Sequence, residues 1–175
     1  IPKNYVPAIE KGLLESMEKG PLAGYPVVGI KAVLYDGSYH DVDSNDMAFK
    51  VAASMAFKAG ITKAHPVLLE PIMRLEISIP DEFMGDVMGD MNRRRARILG
   101  MEPDENGMQK LIAEAPMAEI LDYTIALRAM TQAKGSFIQE FVRYDEVPQK
   151  LAEKIKDMRT IYNEEIRFAI KSRTN

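Results

Sequence analysis

Val6, Ile9, Leu13, Leu14 and Met17 recur at intervals of three and four residues, which gathers apolar side chains on one helical face. Gly20-Pro21 ends that pattern. From Tyr25 to Tyr35 the period changes to two. Val28, Ile30, Ala32 and Leu34 fall on one side and Lys31 and Tyr35 on the other, which predicts a strand. Asp36-Gly37-Ser38 predicts a turn. Asp43-Ser44-Asn45-Asp46 offers N-cap residues for a second helix over about Met47–Ala59, closed by Gly60. That helix is apolar nearly all round, so burial is expected. One strand between two helices makes an incomplete sheet, and the chain opens at Ile1 without methionine, so it reads as a piece of something longer.

Pro66 and Pro71 mark a boundary, since each restricts the residue before it. Beyond it Met73, Leu75, Ile77 and Ile79 alternate with Arg74, Glu76 and Ser78, a half-buried strand. Phe83, Met84, Val87, Met88 and Met91 follow helical spacing. Arg97–Met101 predicts a second strand, Asn106-Gly107 a hairpin turn, and Met108–Ala115 a third strand. Pro116 suits the first turn of a helix over about Met117–Tyr123, and Ser136–Tyr144 predicts the fourth strand. The order βαββαβ is the ferredoxin-like split βαβ arrangement. After Pro148, Leu151, Ile155, Met158, Tyr162, Ile166 and Ile170 predict a long amphipathic helix. The expected fold class is α+β, in three parts: residues 1–65, 66–147 and 148–175.

Composition narrows the chemistry. The 175 residues are 46% hydrophobic and 28% charged, which is globular rather than disordered. No apolar run is long enough to span a membrane. Without cysteine there are no disulfides, thiolate metal sites or cysteine nucleophile, which fits a reducing compartment. Two histidines, His40 and His65, argue against a multi-histidine metal site. The formal charge of -3 excludes a globally basic nucleic-acid binder but leaves room for local basic patches. Residues 1–70 carry 7 basic and 8 acidic side chains, 71–147 carry 9 and 14, and 148–175 carry 7 and 4, so only the last part is basic.

No Gly-x-x-x-x-Gly-Lys-Ser/Thr loop and no nucleophile–base constellation stands in the chain, so no catalytic residue is assigned. Asp81-Glu82 and Asp104-Glu105 suit a helix start and a turn. His40 lies in Gly37-Ser38-Tyr39-His40-Asp41, a loop between a strand end and a helix start. It reads either as a solvated turn residue or as a group mounted for contact. Asp36, Asp41, Asp43 and Asp46 crowd it, so contact with RNA there would rest on short-range hydrogen bonding or stacking by Tyr39 and His40. Arg93-Arg94-Arg95 with Arg97 is the densest basic cluster, either cations at a helix C-terminus or a phosphate-contacting patch. Arg128, Gln132 and Lys134 form a second polar cluster before the last strand.

Longer stretches resemble a known family. Gly24-Tyr25-Pro26-Val27-Val28, the run Leu34 to Ser44 and Met47-Ala48-Phe49-Lys50 look like the fourth domain of bacterial translation elongation factor G. Pro66 to Met73 is similar to that factor's junction with its fifth domain. Met84-Gly85-Asp86-Val87, Ile98 to Pro103 and Gly135-Ser136-Phe137 look like the fifth domain. The resemblance runs in order from Ile1 to about Pro148.

It implies a ribosome-dependent GTPase that promotes tRNA–mRNA translocation and assists ribosome recycling, with GTP and Mg2+ held in an N-terminal domain outside this chain and no cofactor within it. It implies a partial fourth domain with an unusual βαβ crossover, whose tip (Gly37, Ser38, Tyr39, His40, Asp41) meets tRNA and mRNA in the decoding region. In the fifth domain it implies that Arg128, Thr131, Gln132 and Lys134 face the sarcin–ricin loop of the large-subunit rRNA, and that the helix Asp81 to Arg95 faces the stalk base, with Arg93, Arg94, Arg95 and Arg97 as its basic patch. A cytoplasmic monomer with no membrane partner follows. The family usually has serine at Ala129, Gly-Arg-Gly at Ala133-Lys134-Gly135, and glycine at Arg95 and Asp122. These departures fit a diverged paralogue as well as the translocase; a stand-alone ferredoxin-like RNA- or protein-interaction module is the alternative.

Overall fold

The computed structural model describes residues 1–159. Two compact units divide the chain: Ile1–Leu68 together with residues from Pro148 onward, and Leu69–Val147.

In the first unit a short 3-10 turn at Lys3–Tyr5 leads into α1 (Val6–Met17), and α2 spans Asp46–Lys63. Asn45 caps α2 by accepting the Ala48 N–H at 2.8 Å, which satisfies one of the helix's orphan donors. The helices pack through Ile9, Phe49 and Ala53, with Tyr5, Ala8 and Leu13 around them. Gly12 permits that approach, because a Cβ there would lie against the Lys50 backbone, 3.1 Å from its Cα. The expected full burial of α2 is corrected: Phe49, Ala53, Phe57 and Ile61 are buried, whereas Met47, Val51 and Met55 face outward.

The strand expected at Tyr25–Tyr35 is also corrected. The stretch forms no strand, and Val28, Val33, Leu34 and Tyr35 are exposed. A strand exists only through a neighbour's ladder of hydrogen bonds; the Val27 N–H donates to the Met17 carbonyl at 2.8 Å and the Tyr25 carbonyl accepts the Gly20 N–H at 2.9 Å, but no ladder follows among the described residues. The described residues of this unit therefore hold helices and no strand, and a βαβ crossover is not formed among them. Residues 149–159 are helical, and the continuation expected through Tyr162, Ile166 and Ile170 lies outside the described residues.

The second unit is a four-stranded antiparallel sheet of β1 (Leu69–Pro80), β2 (Arg97–Pro103), β3 (Met108–Pro116) and β4 (Ser136–Glu146), in the order β2-β3-β1-β4. This is the expected split βαβ arrangement. Helix α3 (Met84–Arg93) follows β1 and α4 (Tyr123–Met130) follows β3. Both cover one sheet face, where Leu75, Ile77, Ile79, Leu111, Ala113 and Ala115 meet Val87, Met91, Tyr123 and Leu127. Asn106 and Gly107 both take positive φ in the β2–β3 turn, as the Asn-Gly pair anticipates. The helix expected at Met117–Tyr123 is displaced: Met117–Glu119 is a 3-10 turn, and the α-helix starts where that expectation ends. Ile120 is buried at the elbow while Leu121 is 76% exposed, so the apolar run serves a corner rather than a helix face.

Candidate functional site

The loop carrying His40 is a tip held at its base. All residues from Val28 to Asp43 are exposed. The Asp36 carboxylate accepts the Gly37 N–H at 2.7 Å and shapes the turn. His40 and Ser44 form a reciprocal pair: the His40 N–H donates to Ser44 Oγ at 2.9 Å, and the Ser44 N–H donates to the His40 carbonyl at 3.0 Å. Backbone bonds thus fix His40, while its imidazole has no hydrogen-bond partner among the described residues. Tyr39 turns back toward the helices, its ring 5.9 Å from that of Tyr5, which stacks on Phe49 at 4.6 Å. Hydrogen bonding to the Asp41 side chain raises the Tyr39 hydroxyl above its ordinary pKa, so the phenol stays protonated. The structure therefore divides the five tip residues. Gly37, Ser38, His40 and Asp41 present outward, and Tyr39 braces the loop. Tyr5 is the supporting residue that sequence reading missed; an aromatic just ahead of the first helix was its only signal.

The loop after α4 behaves differently at each expected position. Thr131 is fully buried. Its hydroxyl donates to the Leu127 carbonyl at 2.7 Å and accepts the Gly135 N–H at 2.9 Å. The expectation that Thr131 faces a partner is corrected, because both roles of its oxygen are filled internally. Gln132 and Ala133 follow with φ of 51° and 64°, which turns the chain sharply and leaves both exposed. Arg128 on the last turn of α4 is exposed, and Lys134 pairs with Glu82 at 3.1 Å while remaining 53% exposed. Arg128, Gln132 and Lys134 are therefore all exposed, the first on the last turn of α4 and the other two in the loop after it.

The arginine cluster splits in two. Arg94 reaches Asp90 at 2.6 Å, the Glu119 carbonyl at 2.6 Å and Asp122 at 2.6 Å, and lies over the Tyr123 ring. Its bond holds the Asp122 carboxyl below the usual range. Arg95, at φ 59°, forms a two-pronged bond to Glu70 and a longer one to Glu119. These two guanidiniums join β1, α3 and the α4 approach; Arg94 is largely covered by its partners, whereas Arg95 is held by carboxylates while still exposed. Arg93 and Arg97 are 76% and 69% exposed, each touching one carboxylate, Asp90 and Glu114. Among the described residues no cluster of His, Cys, Asp or Glu could hold a metal ion.

The family model described as elongation factor G, domain IV matches residues 1–65, and that described as elongation factor G C-terminus matches residues 67–155. The chain belongs to the elongation factor G family. A crystallised protein of Thermus thermophilus is 51% identical over 91% of this chain, with a TM-score of 0.83. The chain spans 24% of that protein's length. Within elongation factor G terms, the His40 loop lies in the domain IV match and the Arg128–Lys134 loop and arginine cluster in the C-terminal match.

Proposed function

We propose that these residues form the ribosome-engaging end of a cytoplasmic elongation factor G that promotes GTP-dependent tRNA–mRNA translocation and assists ribosome recycling. The ordered match of two consecutive elongation factor G models across residues 1–155 carries this reading. In it the tip around His40 occupies the decoding region beside tRNA and mRNA. Arg128, Gln132 and Lys134 face the sarcin–ricin loop, and the end of α3 with Arg93 and Arg97 faces the stalk base. GTP and Mg2+ would be bound outside these residues, which contain no phosphate-cradling loop motif.

The work at the tip is mechanical rather than chemical. The His40–Ser44 pair holds the loop backbone, so contact by the imidazole has less backbone ordering to offset. Replacing His40 with alanine in the full-length factor is expected to slow single-round translocation while ribosome-stimulated GTP hydrolysis continues. Equal loss of both would remove the assigned role. Ribosome binding and hydrolysis without translocation by the unmodified factor would instead identify a specialised paralogue. The family's usual glycines at Arg95 and Asp122 are replaced here by ion-pair partners, Arg95 of Glu70 and Asp122 of Arg94, and these substitutions are what favours the paralogue.

A further inference from the structure

We infer that the groove between α1 and α2 is a binding site for the phosphodiester backbone of RNA, separate from the His40 tip. Two helical stripes face each other across it. Glu15 and Ser16 come from the end of α1, Lys19 from the turn just after it, and Lys50, Ser54 and Lys58 from one face of α2. The groove has a volume of about 400 Å3, with Met47 and Val51 supplying an apolar wall.

Its charge is arranged for an anion. Lys50 is tied to Glu15 at 2.8 Å, but Lys19 and Lys58 make no ion pair among the described residues and are exposed. Lys50, Ser54 and Lys58 recur every four residues, so they stand on one face and span two turns, ~12 Å along the axis. That spread suits a run of phosphates better than a single one. Ser16 Oγ stands 2.7 Å from the Gly12 carbonyl and donates to Ser54 Oγ at 2.8 Å, so Ser54 is the acceptor in that contact. Ser54 keeps its own hydroxyl proton, a donor placed between Lys50 and Lys58 for an arriving phosphate oxygen. The close approach at Gly12 fixes the two stripes at this separation. The tip, by contrast, is ringed by Asp36, Asp41, Asp43 and Asp46, so the unit's cations act on a polyanion here rather than there. The choice of RNA over an acidic peptide rests on the proposed translational role; the charge of the groove does not.

The test is equilibrium binding of the 175-residue chain to a fluorescently labelled RNA hairpin across a salt series. Lys19→Ala with Lys58→Ala is expected to weaken binding about tenfold or more at low salt and to reduce the log–log salt slope by about two, roughly one per lysine. Glu15→Gln, which releases Lys50, is expected to tighten it. Lys3→Ala with Lys11→Ala, the same charge change outside the groove, is expected to do much less. Equal weakening by both double variants would overturn the site, as would absence of binding by the unmodified chain. Displacement of the hairpin by poly-glutamate more readily than by unlabelled RNA would overturn the choice of RNA. The His40→Ala translocation assay is independent of all these outcomes, so either idea can fail alone.

Discussion

At Ala133 the backbone sits at φ 64°, in the left-handed region where a Cβ crowds the following carbonyl. The family's usual glycine at this place has no such cost. Ala133→Gly should therefore stabilise the chain by about 1 kcal/mol, the relief outweighing glycine's greater freedom when unfolded. Chemical denaturation of the two forms would show it, and a less stable glycine variant would contradict the strain. Residue types alone pointed to the neighbouring site only in part. Arg128, Gln132 and Lys134 are exposed as their polarity suggested, but Thr131 carries the same polarity and is buried. What separates them is a tertiary fact: a Cβ at Gly135 would stand 2.8 Å from Thr131 Oγ1 and 3.0 Å from Ile79, so the loop closes onto that hydroxyl. Three consecutive arginines likewise look alike until Glu70, Asp90, Glu119 and Asp122 are brought to Arg94 and Arg95.

Among the elements, α1 and α2 depend on one small residue. Gly12→Ala gains about 1 kcal/mol of helix propensity but drives a methyl group into the Lys50 backbone, an overpacking that costs about 1–3 kcal/mol. Net destabilisation is expected in thermal melts followed by circular dichroism; a higher melting temperature would mean that close approach is not what joins the helices. Both helices were legible from apolar spacing and caps, as was every strand of the sheet, because alternation and the Asn-Gly turn are local signals. The Tyr25–Tyr35 stretch has equally good alternation and forms no strand, since pairing is not a local property. The Met117–Tyr123 expectation failed for a related reason. Its apolar residues divide between a buried elbow at Ile120 and an exposed Leu121, a division that only the sheet's position sets.

On the scale of the whole molecule, charge decides how the second unit meets acid. The second unit's uncovered sheet face is laced with ion pairs. Glu114, 11% exposed, accepts from Arg143 at 2.9 Å and from Arg97 at 3.0 Å, and these bonds hold its pKa below the usual carboxylate range. Asp104 is lowered by Ser78 and Asp122 by Arg94. A carboxyl whose folded pKa lies below its unfolded value contributes stability that is fully present above the unfolded value, about 4, and is lost as pH falls through the folded one. The melting temperature should therefore hold from neutrality to about pH 5 and drop below it. Glu114→Gln should lower it at neutrality and shallow the acid drop; an unchanged acid limb would show that Glu114 is not among the groups responsible. In the first unit the same scale brings out a question of force. A load applied at His40 reaches α2 by two routes in parallel. One runs along the chain, through the His40–Ser44 clasp to the Asn45 cap. The other crosses space, from Tyr39 to Tyr5 to Phe49. The tip is thus tied to α2 at two points, one along the chain and one across space.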